Sequence, residues 1–143
     1  MFKWNYTAQV ETNATPEQIW AMWKNVETWA HWDSELEWAK LNGPFEIGTK
    51  GRMQPSGGPV VDFILTEIQL NKKFVNRAKL PLTTLEFTHV YEANSEEKNC
   101  PIIRHSVAMK GLLAPLFGLI IGRKIKKHLR VAMEDLSNQA TKI

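Results

Sequence analysis

The side chains in this sequence best suited to chemistry are His89 and His105, since imidazole is the group that changes charge near neutral pH. Each lies in an alternating segment: Thr83 to Tyr91 and Pro101 to Lys110 read as consecutive strands joined by the polar run Asn94-Ser95-Glu96-Glu97-Lys98-Asn99. A near-symmetric register about that turn sets Phe87 opposite Val107, Leu85 opposite Met109 and Tyr91 opposite Ile103. It also sets His89 opposite His105. The other face pairs Thr88 with Ser106 and Glu86 with Ala108, polar or small enough to meet water, so both imidazoles are expected on the apolar face. Two readings stand. The histidines form a polar spot in an apolar pocket, able to hydrogen-bond a ligand carbonyl or hydroxyl or to act as acid and base. Alternatively they satisfy each other in the core, one donating and one accepting. Without a nearby third ligand they make an incomplete metal site, so no metal is expected.

Other groups are weaker candidates. The strand Phe74 to Leu80 turns Phe74, Asn76 and Ala78 inward, which makes Asn76 a polar ligand contact, and Glu67 on the preceding strand could join them. His128 falls at the margin of a helical apolar stripe, where a solvated or boundary position is expected. Trp20 and Trp23, then Trp29 and Trp32, are spaced three apart and suit wedging against a sheet. No nucleophile is flagged: there is no G-x-S-x-G, and Cys100, the single cysteine, has no Cys or His neighbour at metal-ligand spacing. Gly57-Gly58-Pro59 precedes a strand rather than a helix, so it is a turn and not a phosphate loop. No cofactor is implied.

The elements that must position these residues follow from periodicity. Phe2, Trp4, Tyr6, Ala8 and Val10 alternate with polar residues, giving a first strand whose even positions face the core. Thr15-Pro16-Glu17-Gln18 is a capping box with proline at the first helical position, so a short helix begins at Pro16. It breaks near Asn25, and a second short helix runs through Thr28 to Trp32. Strands are expected at Leu36 to Leu41, Gly48 to Gln54, Val60 to Leu70, Phe74 to Leu80, Thr83 to Tyr91 and Pro101 to Lys110. From about Ala114 to Ala140 the apolar residues recur at i, i+3, i+4 spacing, one long amphipathic helix. The expected fold is α+β: a curved seven-stranded antiparallel sheet around a long C-terminal helix, with two short helices after the first strand, in one domain over residues 1–143.

The run ATPEQIWAMWKNVETWAHWDSELEW, followed by GPFEIGTKGRM, LEFTHVYE and IIRHSVAMKGLLAPLFGLIIGRKIKK, resembles the START-like helix-grip superfamily, the SRPBCC or polyketide-cyclase-like group that includes the birch pollen allergen. The resemblance covers nearly the whole chain. It implies a container for lipids, sterols, hormones or polyketides that only sometimes performs chemistry. Similar sequences place an aspartate before the second short helix where this chain has Lys24-Asn25-Val26, so Asn25 is expected to cap it. Trp29, Trp32 and Trp38 fall in or just after the segment that rims the pocket in proteins of this kind.

The uncharged run Gly111 to Gly122 is shorter than the about 20 residues a membrane-spanning helix needs, and it contains a proline. It is better read as the pocket's wall: Gly111 ends the last strand, Pro115 enters the first helical turn, and Leu116, Phe117, Ile120 and Ile121 face the cavity. Gly118 and Gly122 are expected to loosen that part of the helix. The net charge of +3 is concentrated in Arg123, Lys124, Lys126, Lys127 and Arg130, read as a solvated helix face that could alternatively touch an anionic membrane. No nucleic acid is expected as a partner. The N-terminal segment lacks a secretory pattern, so the expected compartment is the cytoplasm, with the chain a monomer or dimer. The expected function is binding of a small hydrophobic or aromatic ligand through Trp29, Trp32, Phe74, Asn76, Phe87, His89 and His105. Val107, Met109, Leu116, Phe117, Ile120 and Ile121 complete that set. The alternatives are a cyclase or aromatase using His89 and His105, and a peripheral lipid carrier.

Overall fold

A computed structural model of the chain describes residues 2–95 and 99–143. The order is β1 (Lys3–Glu11), α1 (Pro16–Lys24), a 3₁₀ turn over Val26–Thr28, α2 (Trp29–Trp32), β2 (Leu36–Leu41), β3 (Lys50–Pro55), β4 (Val61–Gln69), β5 (Lys73–Leu80), β6 (Thr83–Glu92), β7 (Ile102–Gly111) and α3 (Ala114–Ala140). The seven strands form one antiparallel sheet in the order β1-β7-β6-β5-β4-β3-β2. Each strand from β2 to β7 thus neighbours the next, and the first strand pairs with the last. The sheet curves, and its apolar face packs on α3 and the two short helices, as the alternating pattern requires.

The β6–β7 pair has the expected register, with Phe87 opposite Val107, Leu85 opposite Met109, Tyr91 opposite Ile103 and His89 opposite His105. Within the connecting run, Glu96, Glu97 and Lys98 lie outside the described residues. On β4 a register shift between Leu65 and Glu67 turns Glu67 to the outer side, opposite Val75 and 3.2 Å from Lys73 Nζ. The expectation that Glu67 faces the cavity is therefore wrong, and the bulge is the reason.

Helix α1 begins as its capping box dictates: Gln18 N–H donates to Thr15 Oγ1 at 3.1 Å, and Thr15 N–H donates to Gln18 Oε1 at 2.9 Å. Asn25 caps nothing with its side chain. The 3₁₀ turn is held instead by Thr28 Oγ1, which donates to the Asn25 carbonyl at 2.8 Å. On α3, a Cβ at Gly118 or Gly122 would fall 2.5 Å from the Trp4 ring. These glycines make room for an indole.

Candidate functional site

A cavity of about 560 Å³ lies between the sheet and α3. Its floor is Asn76 on β5, Leu85, Phe87 and His89 on β6, and His105 and Val107 on β7. Trp29 and Trp32 of α2 and Phe117, Ile121, Ile125 and Leu129 of α3 also line the cavity. The exposed lining residues Gly57, Pro59, Pro81, Ile120 and Lys124 mark the mouth, between the β3–β4 and β5–β6 turns and α3.

The two imidazoles meet edge to face with ring centroids 4.6 Å apart. His89 lies parallel to Phe74 at 3.9 Å and near Trp29 and Trp23; His105 is flanked by Trp23 and Trp32, each at 6.0 Å. His89 Nδ1 is 3.3 Å from the Phe74 carbonyl oxygen, an acceptor, so Nδ1 carries the proton and donates. His89 thus bonds the backbone of β5 rather than its partner, and the mutually satisfied pair is not formed. His105 Nε2 is buried and finds no hydrogen-bond partner among the described residues; Asn76 Oδ1 and Trp32 Nε1 share that condition. Burial among aromatic rings disfavours the charged form, pushing His89 down to about 3 despite the bond to Phe74, and driving His105 well below its ordinary value. Both imidazoles are neutral at neutral pH.

The other expected site residues divide. Trp29, Trp32, Asn76, Phe87, Val107, Phe117, Ile120 and Ile121 line the cavity. Phe74 and Met109 are fully buried but do not line it: Phe74 stacks behind His89, and Met109 faces Trp4 and Leu85 across the neighbouring strands. Leu116 points to solvent at 48% exposure, because the lining positions 117, 121, 125 and 128 define a helical stripe that leaves 116 on its outer flank. Trp38 is also outside, donating to Gln54 Oε1 at 3.0 Å.

A polar cluster at the rim was not singled out from the sequence. His128 lines the cavity half-buried, with Nε2 3.0 Å from Glu35 Oε1, and Asp33 and Lys124 stand beside them in the lining. Burial raises the Asp33 carboxyl, the N–H bond from Glu35 opposing it. Lys124 Nζ donates to the Ser56 carbonyl at 3.4 Å, so two polar tethers run from α3 to the opposite rim. The expected boundary position of His128 gave no hint of Glu35, which approaches only when α3 crosses the turn before β2. Among the described residues, no group of three His, Cys, Asp or Glu side chains is placed to hold a metal ion.

No protein-family model and no curated protein sequence matches the chain. Solved structures do match in shape. A START superfamily protein from Mycobacterium smegmatis superimposes with a TM-score of 0.70 at 14% identity, over 94% of this chain and 97% of that one. Its fold is the START-like helix-grip fold. Norcoclaurine synthase from Thalictrum flavum shares the helix-grip fold at a TM-score of 0.72 and 13% identity, over 99% of this chain and 88% of its own. The di-domain ARO/CYC of the steffimycin biosynthetic pathway matches at 0.74 and 8% identity, over 98% of this chain and 51% of the di-domain protein. At these identities the helix-grip likeness concerns the fold alone.

Proposed function

We propose that the protein binds a small, largely apolar molecule carrying a hydroxyl group, enclosed between the sheet and α3. The observation that supports this is the cavity itself: about 560 Å³, walled by aromatic and aliphatic side chains, with unpartnered polar atoms on three lining residues. That volume is in the range of small-molecule pockets, and buried polar groups normally have partners. Trp32 Nε1 can only donate, Asn76 Oδ1 can only accept, and His105 Nε2 can do either. A ligand hydroxyl can accept from an indole N–H or donate to an amide oxygen, so it suits groups of either kind. The solved structures of the same fold include a norcoclaurine synthase in complex with dopamine and hydroxybenzaldehyde.

Two depressed histidines are weak bases and are not charged acids near neutral pH, which weighs against an acid–base reaction centred on them. Binding of naphthol against naphthalene, followed by Trp fluorescence and calorimetry, tests the reading. Naphthol is expected to bind more tightly, with the preference removed in Asn76→Leu. Uptake of neither compound, nor of any longer apolar alcohol, would overturn it.

A further inference from the structure

The end of the molecule where the β5–β6 turn, the end of β7 and the start of α3 meet carries an exposed apolar surface flanked by exposed cations. Phe2, Leu82, Leu112, Leu116, Leu119 and Ile120 are each between 48% and 67% exposed. They gather because their elements meet there. Gly111 N–H donates to the Phe2 carbonyl at 3.0 Å, and the Leu82 carbonyl lies so close to Gly111 that a Cβ there would fall 2.2 Å from it. The first turns of α3 rest on Trp4 of β1. Residues 2–5, 79–85 and 108–127, which lie at or next to this end, contain no aspartate or glutamate. They present Lys3, Lys79, Lys110, Arg123, Lys126 and Lys127, all exposed. The adjoining acid on β6, Glu86, is paired with Arg77 at 3.4 Å.

We infer that this end docks on an anionic lipid surface, with the leucines in the headgroup boundary and the cations against the lipid charges. Exposed leucines on a helix flanked by lysine and arginine suit that boundary, and contiguous apolar patches on a soluble face mark interaction sites. A second copy of the chain is the poorer occupant: a two-fold contact through this face would set its cations against each other. Docking brings the cavity mouth, at Pro81 and Ile120, to the lipid surface.

The test is co-sedimentation with phosphatidylcholine vesicles with and without phosphatidylserine, using the full chain. Vesicle binding needs no cavity ligand, so its failure is separable from failure of the ligand reading. Binding is expected only with phosphatidylserine, to be abolished by high salt, and to fall about tenfold or more in Arg123→Gln/Lys127→Gln and in Leu116→Asn/Leu119→Asn. These positions are exposed, and unchanged melting of each variant confirms that it is folded. No binding at low salt, or binding undiminished in both variants, overturns the inference. So does concentration-dependent self-association that Leu116→Asn/Leu119→Asn removes, which would assign the face to a second copy.

Discussion

His89 and His105 occupy a place where the fold holds imidazole neutral, and this ties stability to pH. Their pKa values in the fold lie below the unfolded value of about 6.5, so between the two the unfolded chain binds more protons. Their contribution is present above about pH 6.5 and is lost as pH falls toward the His89 value of about 3. Each histidine adds up to about 1.4 kcal/mol per pH unit to that loss. The melting temperature is expected to fall through this window, more gently in His89→Gln; equal slopes for variant and parent in buffered thermal melts would show the imidazole is not the cause. Asn76 gives the complementary prediction. Replacing a buried amide whose oxygen has no partner among the described residues removes a group with little to lose, so Asn76→Leu should leave ligand-free stability unchanged or slightly raised in chemical denaturation. The same variant should weaken binding of a hydroxylated probe by roughly 10-fold or more, the loss of a hydrogen bond to a buried group.

At the scale of elements, α3 and β1 are fitted to each other by two glycines. Alanine at Gly118 or Gly122 would gain about 1 kcal/mol of helix propensity if the position were free. Here the added Cβ meets the Trp4 ring at 2.5 Å, so Gly122→Ala is expected to destabilise by about 1–3 kcal/mol, as overpacking does. In a Trp4→Ala background the sign should reverse, and a double-mutant cycle by denaturant melts reads the coupling directly. The Glu35–His128 tether is a smaller matter. Its side chains are 29% and 34% exposed, so the coupling between Glu35→Gln and His128→Gln should stay below about 1 kcal/mol and shrink with added salt. A larger, salt-independent value would mean the pair closes more tightly than its exposure implies. Among these elements the β6–β7 hairpin was legible from sequence, because alternation fixes the inward face and the polar run between the strands fixes the register. The β4 bulge was not read, although the apolar positions there pass from Val61, Phe63 and Leu65 to Ile68: one extra residue reverses every later side chain, as Glu67 shows.

For the whole molecule, the proposed ligand binding would be coupled to folding through the cavity between the sheet and α3. A ligand that fills it should raise stability by about 2.7 kcal/mol at a hundred times its dissociation constant, seen as a concentration-dependent rise in melting temperature. Filling the space with protein instead, as in Val107→Phe, should abolish that rise while leaving the empty protein folded. The sequence by itself determined the strands, the capped first helix, the long amphipathic helix and the facing histidines, since each follows from local periodicity or a local hydrogen bond. Leu116 and Gly122 mark its limit. Helical spacing places them on or beside the apolar stripe, but only the crossing of α3 over β1 turns Leu116 outward and sets Gly122 against Trp4. The tertiary structure alone decided that His89 bonds Phe74 rather than His105, that Glu35 reaches His128, and that atoms of Asn76, Trp32 and His105 find no partner among the described residues. The reason is physical: periodicity fixes which face a side chain takes, whereas a hydrogen bond needs two atoms brought within about 3 Å, which only the packing of distant elements sets.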